Sequence, residues 1–112
     1  MTTQIADGVW VSSTDADGFA PEPGVGGMSH VLREDDRLRA GLWCAPDVAH
    51  ELPWFEFEHD ETLLVLEGEV EIEIEGGPTL HLGPGGIASF SKGVRSTWRL
   101  SPGFKEFWVL SG

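Results

Sequence analysis

The run Glu69-Val70-Glu71-Ile72-Glu73-Ile74-Glu75 constrains this chain more than any other stretch of it. Charged and apolar residues alternate with period two, which turns the glutamates to water and Val70, Ile72 and Ile74 to a core. A helix would scatter the same residues around its circumference. Gly76-Gly77 ends the run and Thr79-Leu80-His81-Leu82 opens the next strand, so the pair reads as a β-hairpin.

Further short runs rich in Val, Ile, Phe, Trp and Leu recur with turn residues between them. They predict strands from Ser29 to Arg33, Arg39 to Cys44, Glu51 to Phe57, Glu61 to Leu66, Ile87 to Phe90, Ser96 to Leu100 and Lys105 to Leu110. Nothing predicts a long helix. At 112 residues the chain is long enough for one core and too short for two. Short strands and 15 glycines point to a closed or double-layered antiparallel fold. Residues 1–28 differ: Asp7-Gly8, Asp17-Gly18, Pro21, Pro23, Gly24, Gly26 and Gly27 are turn chemistry. They predict an extended N-terminal arm that docks on the barrel, residues 29–112, or on a neighbouring subunit, through Val9-Trp10-Val11 and Phe19.

Seven Lys and Arg against 19 Asp and Glu give a formal charge of −12, which repels phosphate backbones and anionic membrane surfaces. Nucleic acid and membrane are therefore not expected partners, and no apolar stretch approaches the roughly 20 residues that cross a bilayer. The lone Cys44 makes no intrachain disulfide, and no secretory leader is legible, so a cytoplasmic location is expected. Cys44 reads as a small buried hydrophobe. Gly83-Pro84-Gly85-Gly86 is a turn, because no helix and no Lys-Ser/Thr follow to make a phosphate loop.

The stretch from Asp60 to Val70 resembles the first cupin motif, in which a metal-binding Glu precedes a turn glycine, with Glu61 and Gly68 in those places. Gly83-Pro84-Gly85-Gly86 with Ser91-Lys92-Gly93 is similar to the second motif. The resemblance implies an all-β cupin double-stranded β-helix, an RmlC-like jelly-roll barrel. Gly41-Leu42-Trp43, Leu66-Glu67-Gly68 and Thr97-Trp98 are similar to the small single-domain group related to ureidoglycine aminohydrolase, many of whose members have no assigned activity.

The same resemblance implies a metal held by two histidines before the Glu, the Glu itself and a third histidine. Those places fall here at Phe55, Phe57, Glu61 and Ser96, or at Trp54 and Glu56 if the spacing is one residue longer. Neither register supplies two histidines, and phenylalanine donates nothing to a metal. Glu61 reads either as a turn-adjacent surface acid or, as the resemblance implies, as an inward carboxylate beside Leu63 and Val65, its pKa raised by desolvation, and then a general acid–base or a buried group bonded to a neighbour. Trp43, Trp54 and Trp98 lie on barrel strands, as core or as a pocket that stacks a planar or cationic ligand.

Three functions stay open. The first is a homodimeric cupin that binds a small organic ligand through Glu61, Trp43, Phe55, Phe57, Ser96 and Trp98, with no cofactor and a degenerate metal site. The second is an enzyme using a divalent transition metal held by Glu56, His59 and Glu61, acting on a small nitrogen-containing or carboxylate compound. The third is a structural or interaction protein whose barrel is filled by its own aromatic side chains.

Overall fold

The computed structural model of the chain describes residues 3–112. Every regular element among them is a strand, in the order β1 (Thr3–Ala6), β2 (Val9–Val11), β3 (Ala20–Pro21), β4 (Met28–Glu34), β5 (Leu38–Cys44), β6 (His50–Glu56), β7 (Asp60–Glu67), β8 (Val70–Ile74), β9 (Thr79–Leu82), β10 (Ile87–Phe90), β11 (Arg95–Leu100) and β12 (Lys105–Ser111). A six-stranded sheet, β10-β7-β12-β5-β4-β3, faces a four-stranded one, β6-β11-β8-β9. This is the jelly roll expected from the sequence. No helix is long and apolar enough to cross a membrane.

The alternating run forms β8 as its pattern requires. Val70 and Ile72 are buried, while Arg99 on β11 pairs Glu71 directly across the ladder and Arg95 pairs Glu75. Gly68, the motif glycine, turns the chain between β7 and β8 with φ of 76°. A Cβ there would stand 2.7 Å from Ser101 Oγ and 2.9 Å from Phe104 Cα, so both backbone sign and space demand glycine.

The N-terminal segment is more ordered than an extended arm. β1 and β2 form their own hairpin around Asp7-Gly8, and β3 adds to the edge of the large sheet. Residues 1–2 of the expected arm lie outside the described residues. Trp10 sits 4.7 Å beneath the Arg33 guanidinium, and Phe19 packs 5.7 Å from His30. Ser12 Oγ and His30 Nε2 are 2.8 Å apart. The segment thus docks on the barrel of its own chain.

One irregularity re-aims a whole strand. Between β6 and β11, Phe55 faces Ser96 but Leu52 faces Trp98, so Pro53 and Trp54 together oppose Thr97. This β-bulge falls at a proline on an edge strand, where a missing N–H costs no ladder bond. It lets Leu52 and Phe55 both turn inward and leaves Trp54 43% exposed, which corrects the expectation that Trp54 belongs to the core.

Candidate functional site

The inner face of the large sheet is arranged in rows, because cross-strand partners share a face. One row runs Ser29, Trp43, Glu106, Val65 across β4, β5, β12 and β7. The next runs Gly41, Trp108, Leu63, Ala88, and the third Arg39, Leu110, Glu61, Phe90, across β5, β12, β7 and β10. Apolar residues fill the middle row, and polar ones stand in the rows on either side.

Facing these rows across the barrel are Leu52, Phe55 and Trp98, with Phe57 in the turn after β6, and between the sheets lies a cavity of about 550 Å³. Phe57 stacks on Phe90 at 4.8 Å with planes 7° apart, and Phe55 stands 5.0 Å from Phe57. The turn Glu22-Pro23-Gly24-Val25 closes one side. It is fastened by Arg39, whose Nη1 and Nη2 donate to Glu22 Oε1 and Oε2 at 3.0 and 3.3 Å, and by Trp43 Nε1, which donates to Gly26 O at 2.9 Å. Arg39 Nε also lies 2.6 Å from Glu34 Oε2, an ion-pair contact not aligned as a hydrogen bond, and the guanidinium covers the Trp108 ring at 4.9 Å.

Two carboxyls border this cavity. Burial alone pushes the Glu61 carboxyl up to about 7. Glu106 is 3% exposed, and its carboxyl is pushed well above the ordinary range, first by burial and then by the Glu61 charge. Glu106 Oε2 and the hydroxyl of Ser29, itself 6% exposed, are buried without a hydrogen-bond partner. Neither residue was expected at the site. Ser29 merely begins a predicted strand. Glu106 is masked because Phe107 and Val109 beside it are apolar too, so β12 shows no alternation that marks which of its faces is the core.

Trp43, Phe55, Phe57, Trp98 and Glu61 all line the cavity. Ser96 lies outside that lining, fully buried, with its Oγ accepting the Trp98 Nε1 hydrogen at 3.0 Å. Glu56, His59 and Glu61 border the same cavity, yet among the described residues no group of three His, Cys, Asp or Glu is placed to hold a metal. His59 Nδ1 lies instead 3.3 Å from Gly112 O. The triad proposed for a metal enzyme therefore does not converge. The four places implied by the cupin resemblance do not fit a metal either. Phe55 and Phe57 offer no donor atom, and Ser96 Oγ is already bonded within the core.

A second concavity, of about 760 Å³, lies on the outer face of the small sheet around Glu69, Glu71, His81 and Arg99. There Arg99 Nε donates to Glu71 at 2.8 Å, and His81 Nδ1 lies 3.6 Å from the same carboxylate. Cys44 is partly buried, and burial pushes its thiol up, away from a reactive thiolate.

Solved structures with the same fold include a putative ethanolamine utilization protein Q from Salmonella typhimurium LT2. It is 19% identical with a TM-score of 0.79, over 99% of this chain and 92% of that one. The Clostridium difficile EutQ protein is 14% identical with a TM-score of 0.77, over 99% and 93%. An RmlC-like cupin from Shewanella frigidimarina is 17% identical with a TM-score of 0.75, over 98% and 92%. At these identities the likeness is one of fold. No curated protein matches the sequence. The family model described as the EutQ-like cupin domain matches residues 32–106, which hold the barrel strands from β5 to β11 and both carboxyls, and the chain belongs to that family.

Proposed function

We propose that this cupin binds a small organic molecule inside its barrel, between the Glu61–Glu106 side and the aromatic wall of Phe55, Phe57 and Trp98. The observation that carries the reading is the pair of buried polar atoms, Ser29 Oγ and Glu106 Oε2, left without partners beside a cavity of about 550 Å³. Each such orphan costs the fold about 1–3 kcal/mol. A ligand with complementary polar groups recovers that cost, and a mostly apolar cavity with a few convergent polar groups is the usual form of a small-molecule site. A barrel filled by its own side chains would have no such cavity, which counts against a purely structural role. No reaction is included in the proposal.

The test is a panel of small metabolites screened by thermal shift and tryptophan fluorescence against the wild type and Glu106→Ala. Compounds that stabilise the wild type and lose their effect in the variant support the reading. A panel in which every effect survives Glu106→Ala, or in which none appears, overturns it.

A further inference from the structure

We propose, resting on that reading, that the ligand is a small organic cation carrying a protonated amine. The lining sets the sign of charge. Glu22, Glu56, Glu58, Glu61 and Glu106 border the cavity against one arginine, Arg39, among the described residues. Arg39 is already engaged by both oxygens of Glu22 and by Glu34, so its charge is not offered to an anion. A carboxylate or phosphate entering the cavity would find no unengaged cation to pair with, which disfavours its binding.

The unpaired atoms set the hydrogen-bonding pattern. An ammonium group has only donors; Ser29 Oγ can accept from it, and Glu106 Oε2, buried beside the cavity without a partner, accepts once the arriving cation has favoured its ionised form. They flank Trp43 in one row of the sheet, on the strands either side of it, so their backbones stand about 10 Å apart and both side chains reach the space between. The ligand's apolar part would lie on the opposite wall, where Phe55, Phe57 and Trp98 form one aromatic surface.

The site is also linked to protons. Glu61 and Glu106 hold protons more tightly than free carboxyls, because burial disfavours their charge. The other charged or titratable groups facing them are Glu22 from the turn after β3, Arg39 from β5, Glu56 from β6 and Glu58 and His59 from the turn that follows. An arriving cation favours the ionised carboxyls, so it releases protons and binds more tightly as pH rises through 7.

Benzylamine, benzyl alcohol and benzoate are nearly equal in shape and differ in charge, and each is to be titrated into the full chain by calorimetry in two buffers of unlike ionisation heat. The expected result is benzylamine binding at least about tenfold tighter than the other two, with heat that depends on the buffer, and a loss of about tenfold or more in Glu106→Gln but not in Glu71→Gln. Tighter binding of benzyl alcohol or benzoate, abolished by Glu106→Ala, overturns the cationic class and leaves the binding reading standing. Failure of all three overturns the class, and the metabolite panel then judges the binding reading separately. The order of the three ligands on the wild type needs no variant, so it decides the matter even if Glu106→Gln fails to fold; benzylamine binding no tighter than benzyl alcohol counts against the proposal.

Discussion

Glu61 and Glu106 project from the same face of the neighbouring strands β7 and β12, four positions apart along the ladder, since Glu106 pairs with Val65 and Glu61 with Leu110. Trp108 and Leu63 stand between them as a directly opposed pair. The two carboxyls therefore share one apolar floor, and the charge on Glu61 disfavours ionisation of Glu106.

That relationship fixes the pH dependence of stability. Glu61 titrates near 4.5 when exposed and near 7 when folded. Between those values the folded state holds the extra proton, so stability present at lower pH is lost as pH rises through the window, by roughly 3 kcal/mol for Glu61 alone. Glu106 acts in the same direction. Urea denaturation at pH 5 and pH 7.5 is expected to show the loss, and Glu61→Gln to flatten it. An unchanged slope in the variant would contradict the burial of this carboxyl.

Ser96 serves the core. Ser96→Ala leaves the buried Trp98 indole N–H without an acceptor and is expected to cost about 1–3 kcal/mol in chemical denaturation. Affinity for whatever the cavity binds should stay as in the wild type, and a selective loss of affinity at unchanged stability would place Ser96 at the site instead.

Arg39 ties the N-terminal segment to the barrel. Arg39→Met keeps much of the packing over Trp108 while losing the partly buried Glu22 pair and the pair with the exposed Glu34. We expect about 1–2 kcal/mol of destabilisation, less at high salt, together with faster proteolytic nicking between Glu22 and Gly27. Equal nicking rates in the two proteins would show that the turn is held by other contacts.

Gly27 is the tightest point of that turn. A Cβ there would lie 2.3 Å from the carbonyl oxygen of Cys44 and 2.9 Å from Trp43 Nε1, at a φ of 69°. Gly27→Ala should cost about 2–4 kcal/mol. Gly76→Ala, with a similar φ of 72° and open space, should cost about 1–2 kcal/mol. Thermal melts of the two variants compare steric crowding with backbone strain directly.

Metal addition offers a further check. With phenylalanine at two of the cupin ligand places, Mn, Fe, Ni or Zn should be substoichiometric in protein purified without chelators, and adding them should leave the melting temperature unchanged. One equivalent of tightly held metal would mean that donors assemble in a way this geometry does not show.

Much of the barrel was legible because β8 alternates cleanly, so Val70 and Ile72 declare a face; on β7 the run Leu63-Leu64-Val65-Leu66 is apolar throughout, and the inward face of Glu61 followed from the cupin motif. The aromatic wall was legible for Phe55 and Phe57 through motif spacing. What stayed hidden depends on contacts that no local pattern encodes. Trp54 looks like core until the bulge at Pro53 turns it out. Ser29 and Arg39 become pocket residues only through their registers with Trp43 and Leu110. The turn at Glu22 reaches the cavity through a pair 17 residues distant in sequence.

The bulge at Pro53-Trp54 also acts as a frame marker for the family's ligand positions. Strict alternation counted from Leu52, ignoring the bulge, would assign Trp54 and Glu56 to the cavity and Phe55 to the solvent. Deleting Pro53 or Trp54 would straighten the ladder and still leave Phe55 opposite Ser96 and Leu52 opposite Trp98, so the wall keeps its face while the count to Leu52 shortens by one. Relatives aligned across this point without a gap would be compared at the wrong residues on one side of it, and their ligand sets misread.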